Sequence, residues 1–229
     1  VKLIIEARAS FGDEVFSRNS LSSPDVPEPT GSGPLAVVGG GASIINHIDE
    51  LREWPGEIWA INGTADYLRE NGIECWFYSV DPDPDLAGMV SGKAVLAKHC
   101  DPKCFQNADV AYKTTGPFAG PTSAVAATSL GLKAGFTPIT FFGCESNYGE
   151  QTHAYRDEVL PNLVELDCGG EIFLTKLELI LQAEQLAGVI NRFPEHFSER
   201  SGGFLRAMIE HGGYAVKRVS PNIMKGITT

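Results

Sequence analysis

Leu35–Ile48, LAVVGGGASIINHI, is the stretch on which the reading of this chain turns. Four apolar residues, Leu35 to Val38, have the length and composition of a buried strand. They run directly into Gly39, Gly40 and Gly41, then Ala42 and Ser43. Beyond them Ile44, Ile45, Ile48 and Leu51 fall on one face at the 3.6-residue period, which predicts a helix. In a strand, glycine turn and helix, backbone N–H groups with no partner in the helix can point at an anion. Glycine suits the turn because a Cβ would block close approach and restrict positive φ. The expectation is a phosphate cradle, and a generic glycine turn is the competing reading.

Working outward, Glu57 to Ile61 (EIWAI) reads as a second buried strand ending at Asn62-Gly63, and Thr64 to Asn71 as a short helix closed by Gly72. Cys75 to Val80 is a third strand, running into Asp81-Pro82-Asp83-Pro84-Asp85. Val95 to His99 and Asp109 to Thr114 are weaker strand candidates. Gly120-Pro121-Thr122-Ser123 opens a helix that Gly135 closes, and Pro138 to Phe142 leads to Gly143-Cys144-Glu145. Short strands alternating with helices predict an α/β fold: a doubly wound, mostly parallel Rossmann-like sheet flanked by helices. In such sheets ligands bind beyond the carboxyl ends of the strands. Each strand end here carries glycine or a polar group.

The flanking regions read differently. Residues 1–33 form an N-terminal arm and linker, with a short edge strand or small helix before residue 19 and a Ser/Pro/Gly-rich stretch after it. Residues 34–174 form the nucleotide-binding domain, which includes a polar loop, Ser146 to Glu158, and a hairpin around Cys168-Gly169-Gly170. Residues 175–229 form a C-terminal helical extension packed on the same domain. There Thr175 and Glu178 read as a capping box, and Leu177, Ile180, Leu181, Ala183, Leu186, Val189 and Ile190 give a wide apolar face. Phe204 to His211 reads as a last helix, before a strand at Tyr214 to Val219.

Composition narrows the function classes. A chain of 229 residues can bury roughly 70% of its unfolded surface in one main domain. No apolar run approaches the ~20 residues of a membrane span, and the start, VKLIIEARAS, lacks signal-peptide features. Net charge of −11 argues against a nucleic-acid binder. Charge is uneven, however: residues 48–110 hold 12 acids against 5 bases, whereas 192–229 hold 6 bases against 3 acids. The basic end is the better surface for an acidic partner, and a solvated face is the plainer reading. Five cysteines without framework spacing favour a reduced, cytoplasmic setting. His99-Cys100 and Cys104 have no second ligand pair to complete a zinc site, so ordinary thiols are expected.

Known fingerprints fit poorly. The dinucleotide motif needs a third glycine where Ile44 stands, and a ribose-binding acid where this chain has Asn62. No Walker lysine follows the glycines, and no G-x-S-x-G elbow occurs. The strand ends nevertheless supply candidates. Gly39, Gly40, Gly41, Ser43 and Gly143 suit phosphate, and Thr122 and Ser123 suit a nucleotide or, more plainly, a helix cap. Asp81, with Asp83 beside it, suits Mg²⁺ or a turn. Glu145 suits an acid, base or ribose ligand, and His153, within the polar loop, a proton carrier or a solvated group.

In order, GGGAS, the strand-end Asn62, SVDP, GPTSAVAA and FFGCES…THAY resemble the MptE-like family, named for archaeal 6-hydroxymethyl-dihydropterin diphosphokinases and including phage-encoded members. The layout is also similar to bacterial CMP-sialic-acid sialyltransferases. The resemblance runs from about Pro34 to Asp157. It implies that Gly39, Gly41 and Ser43 hold phosphate and that Asn62, Thr122 and Ser123 contact a nucleotide. It also implies that Asp81 and His153 stand at the family's aspartate and histidine. Sialyltransferases usually have Asn-Pro where this chain has Asp81-Pro82, which favours metal-assisted phosphoryl chemistry. The expectation is an ATP- and Mg²⁺-dependent, diphosphokinase-like transferase acting on a small-molecule acceptor. CMP-sugar transfer and a non-catalytic phage-type module are the alternatives, and homo-oligomerisation stays open.

Overall fold

In the computed structural model, which describes residues 11–116, 120–149, 151–155 and 163–220, the chain builds two sheets. Its strands, in chain order, are β1 (Leu35–Val38), β2 (Glu57–Ile61), β3 (Trp76–Ser79), β4 (Lys93–Ala97), β5 (Val110–Thr114), β6 (Ile139–Phe142), β7 (Val164–Cys168), β8 (Glu171–Thr175), β9 (Phe197–Glu199) and β10 (Ala215–Val219). The main sheet has the order β5-β4-β3-β2-β1-β6-β9, with every pairing parallel. β7 pairs antiparallel with β8 on one side and β10 on the other, making a small second sheet.

The helices are α1 (Asp13–Ser22), α2 (Ile48–Arg52), α3 (Thr64–Glu70), α4 (Pro102–Asn107), α5 (Ser123–Ala134), α6 (Leu177–Arg192) and α7 (Gly203–His211). Residues of β1 alternate between two cores. Leu35 and Val37 join Trp59, Tyr78 and Phe141 beneath α5 and α6. Ala36 and Val38 join Phe77, Leu96 and Phe142 beneath α3 and α4. All four β1 residues are fully buried, and each of the larger ones contributes about 1.5–3 kcal/mol to folding.

The chain steps outward from β1 to β5 and then returns to the other side of β1 as β6. Right-handed crossovers in opposite directions put their helices on opposite faces. The reversal lies between β1 and β6, so the crevice beyond the carboxyl ends of those two strands is the expected ligand position. The doubly wound parallel sheet expected from the alternation of elements is therefore the fold observed.

Several local expectations are corrected. The glycine turn enters a six-residue 3-10 helix, Ala42–His47, before α2. Ile44 and Leu51 are buried, but Ile45 is 48% exposed, because the change of pitch turns it off the apolar face. The Asn19 to Gly33 stretch begins inside α1. Its later part is bonded to the domain, with Lys113 N donating to Pro27 O and Gly31 N to Ala134 O, each over 2.8 Å. Thr175 does not cap α6: its hydroxyl donates to Ser146 O at 2.7 Å, and Lys176 stands at the cap with no side-chain bond. In the C-terminal stretch the strand expected at Tyr214 to Val219 is β10, which completes the small sheet, whereas three-residue β9, which extends the main sheet, stands where no strand was expected.

Candidate active site

The cleft at the β1/β6 reversal begins with two glycines that let the strand ends meet. Gly39 N donates to Phe142 O at 2.8 Å, and Gly41 N to Gly143 O at 2.9 Å. A Cβ on Gly39 would stand 2.5 Å from Gly143 O, and one on Gly143 would stand 2.6 Å from Gly39 O. Gly143 also has φ +61, a conformation that favours glycine.

The next residues answer whether the turn is an open cradle. Glu145, 8% exposed, accepts from Ser43 N at 3.0 Å and from Ser43 Oγ at 2.8 Å. A Cβ on Gly41 would occupy the position of that carboxylate. The expectation of free amides at Gly39, Gly41 and Ser43 is thus corrected: strand-end carbonyls and an internal carboxylate take them. The N–H groups of Gly40 and Ala42 make no hydrogen bond among the described residues. Glu145, read as an acid, base or ribose ligand, clamps the turn with both oxygens.

A cavity of about 320 Å³ nevertheless opens above the turn, lined by Gly39, Gly40, Gly41, Asn62, Asp81, Thr122, Ser123, Gly143, Glu145 and His153 among others. All of the sequence candidates except Ser43 and Asp83 therefore meet around one space. A second lobe of about 240 Å³ adjoins it, sharing Gly40, Ile61, Asn62 and His153 and adding Gly63, Leu86, Met89 and Tyr155. Ala154 N donates to Gly40 O at 3.1 Å, seating the 151–155 segment on the glycine turn.

Asn62 stands at the junction of the lobes with φ +50, and its buried Oδ1 has no hydrogen-bond partner among the described residues. Ser146, with φ +62, is the other non-glycine residue at positive φ among the described residues, and it also lines the cleft. Such conformations cost about 1–3 kcal/mol each and gather at functional sites. A buried acceptor left unpaired is itself costly, so a donor on a bound molecule has a place prepared at Asn62.

Asp81 follows β3. Its Oδ1 accepts from Asp83 N at 3.1 Å, and no hydrogen bond to Oδ2 occurs among the described residues. Burial pushes its carboxyl above the ordinary range, opposed by that Asp83 N–H. Asp83, expected to help with a metal, instead accepts from Asp85 N at 2.9 Å as a helix cap. Next to Asp81, His99 places Nε2 2.6 Å from Val80 O, and burial lowers its pKa below the ordinary 6.5. No group of three or more His, Cys, Asp or Glu residues able to hold a metal occurs among the described residues. Mg²⁺ usually keeps several waters and binds through one or two carboxylates plus substrate phosphates, so Asp81 Oδ2 is the oxygen such an ion would take. The five cysteines are free and buried; burial pushes Cys75 and Cys104 up to about 11.

The opposite wall is built by the C-terminal third of the chain. Thr122 caps α5, accepting from Val125 N at 3.4 Å, and donates to Gln182 Oε1 at 2.7 Å. Gln182 Nε2 donates to Ser146 Oγ at 3.0 Å. The start of α7 fixes the same loop: Phe204 N donates to Asn147 Oδ1 at 2.7 Å and Leu205 N to Glu145 O at 3.0 Å. Tyr148 N donates to Leu174 O in β8 at 2.8 Å. Sequence reasoning missed Ser146, Asn147 and Gln182. The available signal for Gln182 was a polar residue inside the apolar face of α6.

No protein-family model matches the chain, and no curated protein matches it; the MptE-like resemblance gains no support from either. Among solved structures, the chain is similar to the MAf glycosyltransferase from Magnetospirillum magneticum AMB-1, with a TM-score of 0.62 and 16% identity. The alignment covers 87% of this chain and 38% of that one. The chain thus spans well under half of that protein, and the likeness is one of fold. No helix among the described residues is long and apolar enough to cross a membrane.

Proposed function

We propose that this chain is a nucleotide-dependent transferase that moves a sugar from a nucleoside-monophosphate donor of the CMP-sugar kind to a hydroxyl acceptor. The charge of the cleft carries the reading. Its described lining includes Asp81, Glu145 and His153 but no lysine or arginine. Lys176, over the ring of Tyr148 at 5.5 Å, is a cation in contact with a lining residue. Phosphoryl transfer from a triphosphate relies on positioning and on charge neutralisation, usually by Lys, Arg and metal. A wall with two carboxylates suits a single phosphate ester and a hydroxyl-rich sugar better. That the structural neighbour is a glycosyltransferase agrees, as an analogy of fold.

In this reading the N–H groups of Ser123 and Ala124, at the start of the 12-residue α5, take the phosphate. The bond between the anomeric carbon and the phosphate oxygen breaks, and the nucleotide leaves with the electron pair. An acceptor hydroxyl forms the new bond, and its proton passes to Asp81, whose raised pKa makes it the better base. Asn62 Oδ1 accepts from the donor substrate. Glu145 holds the glycine turn in shape.

ATP with Mg²⁺ is the rival, and Oδ2 of Asp81, which accepts no hydrogen bond among the described residues, is the observation in its favour. Thermal shift with CMP and with ATP, each with and without Mg²⁺, separates them. A metal-independent rise with CMP is expected. A rise confined to ATP with Mg²⁺ overturns sugar transfer in favour of phosphoryl transfer, and silence with every nucleotide favours a non-catalytic module.

A further inference from the structure

The polar wall facing the glycine turn has a direction imposed from the backbone. Ser146 Oγ lies 3.0 Å from Cys144 O, and a carbonyl oxygen only accepts, so the Ser146 proton lies on that line. Ser146 Oγ must then accept from Gln182, which fixes Nε2 as the end that faces it, 3.0 Å away. The other end of the amide, Oε1, therefore faces Thr122, 2.7 Å away. An amide oxygen also only accepts, so Thr122 gives its one hydroxyl proton to Gln182. Flipping the amide would set its oxygen against the lone pairs of Ser146. Gln182 is 6% exposed, and a buried polar group left unsatisfied is costly, so the order holds from Cys144 out to the cleft.

At its cleft end, Thr122 can only accept. A phosphate oxygen placed against it would meet lone pairs, whereas a hydroxyl would find an acceptor. The helix-start N–H groups of Ser123 and Ala124 adjoin it, so a phosphate held there leaves neighbouring hydroxyls of the same molecule within reach of Thr122. We propose that Thr122, oriented by Gln182, selects a hydroxyl of the bound donor, on its ribose or on the transferred sugar, and keeps phosphate away from that point. This rests on the nucleotide-sugar reading above and narrows the expectation that Thr122 contacts a nucleotide to one of its hydroxyls.

The test is calorimetric titration of the full chain with CMP, 2′-deoxy-CMP, 3′-deoxy-CMP, a CMP-sugar and inorganic phosphate. Wild type is compared with Thr122→Val, Thr122→Ser and Gln182→Met. Wild type should prefer CMP to one deoxy analogue by about tenfold, or about 1.4 kcal/mol. Thr122→Val should bind the two alike, and Thr122→Ser should restore the preference. If both deoxy analogues equal CMP while the CMP-sugar alone loses about tenfold in Thr122→Val, the hydroxyl belongs to the sugar and the proposal stands. Gln182→Met frees the Thr122 proton, so the hydroxyl preference should fall and inorganic phosphate should bind more tightly.

Equal weakening of CMP, both deoxy analogues and inorganic phosphate in Thr122→Val would place Thr122 on the phosphate and overturn the proposal. Should wild type bind no nucleotide, the nucleotide reading fails on its own account. The polarity is then judged by nuclear magnetic resonance of the Gln182 side-chain amide. Its movement with methyl β-D-ribofuranoside but not with inorganic phosphate supports the proposal; any other response overturns it.

Discussion

Replacing Gly41 with alanine tests the clamp that closes the glycine turn, because its two consequences have opposite signs. Gly41 has φ −66 and ψ 151, which alanine adopts without strain, so loss of unfolded-state freedom alone would stabilise the protein by about 0.4–1 kcal/mol. Against this, the new Cβ takes the place of the Glu145 carboxylate. The carboxylate is the end of a flexible side chain and can swing away, but it then loses Ser43 N and Ser43 Oγ. Two hydrogen bonds to an ionised group are together worth about 3–6 kcal/mol. The net expectation is a loss of about 2–5 kcal/mol, or a fall in Tm of about 5–20 °C for a chain of this size. Urea denaturation should show a lower midpoint with unchanged slope. In a Glu145→Ala background the collision is gone, and Gly41→Ala should become neutral or stabilising. An equal loss in both backgrounds, or a stabilised single variant, would refute the clamp.

Other expectations follow from the same geometry. Asp81→Asn should abolish transfer, read by release of free nucleotide from a CMP-sugar, while leaving CMP affinity within about threefold; retained turnover removes Asp81 from the chemistry. The same variant should raise Tm at pH 7. Burial raises the folded-state pKa of Asp81 above its ordinary 3.8, so its ionised form costs stability above that folded value, and the advantage of Asn should vanish below pH 3.8. His99 shifts the opposite way: burial lowers its pKa from 6.5. Its contribution is full above pH 6.5 and declines as pH falls through the depressed value, so His99→Gln should flatten the Tm–pH profile below 6.5, and an unchanged slope would remove His99 as its cause. The five buried thiols should resist a thiol reagent in the native protein and all react in urea; fast native labelling would contradict their burial.

Much of the architecture was legible along the chain because its signals are local. A fully apolar LAVV followed by three glycines, and aromatic or aliphatic runs ending at Asn62, Asp81 and Gly143, declare buried parallel strands whose carboxyl ends must share one edge. Strand Phe197–Glu199 escaped because three residues carry no periodicity; it is a strand only through its pairing with β6. The two ends of the chain misled for a similar reason, since an arm rich in serine and proline, or a helix cap, is defined by what packs against it.

What the sequence by itself determined is the sheet, its order of alternation and the edge where polar groups gather, all set by backbone geometry and hydrophobic period. Tertiary structure alone decided how those groups are used. Ser43 and Glu145, 102 positions apart, cancel each other's availability, and Gln182, 60 positions from Thr122, dictates which way a hydroxyl points. Hydrogen bonds are short-ranged and directional, so no pattern of neighbours along a chain records which distant partner will take the proton.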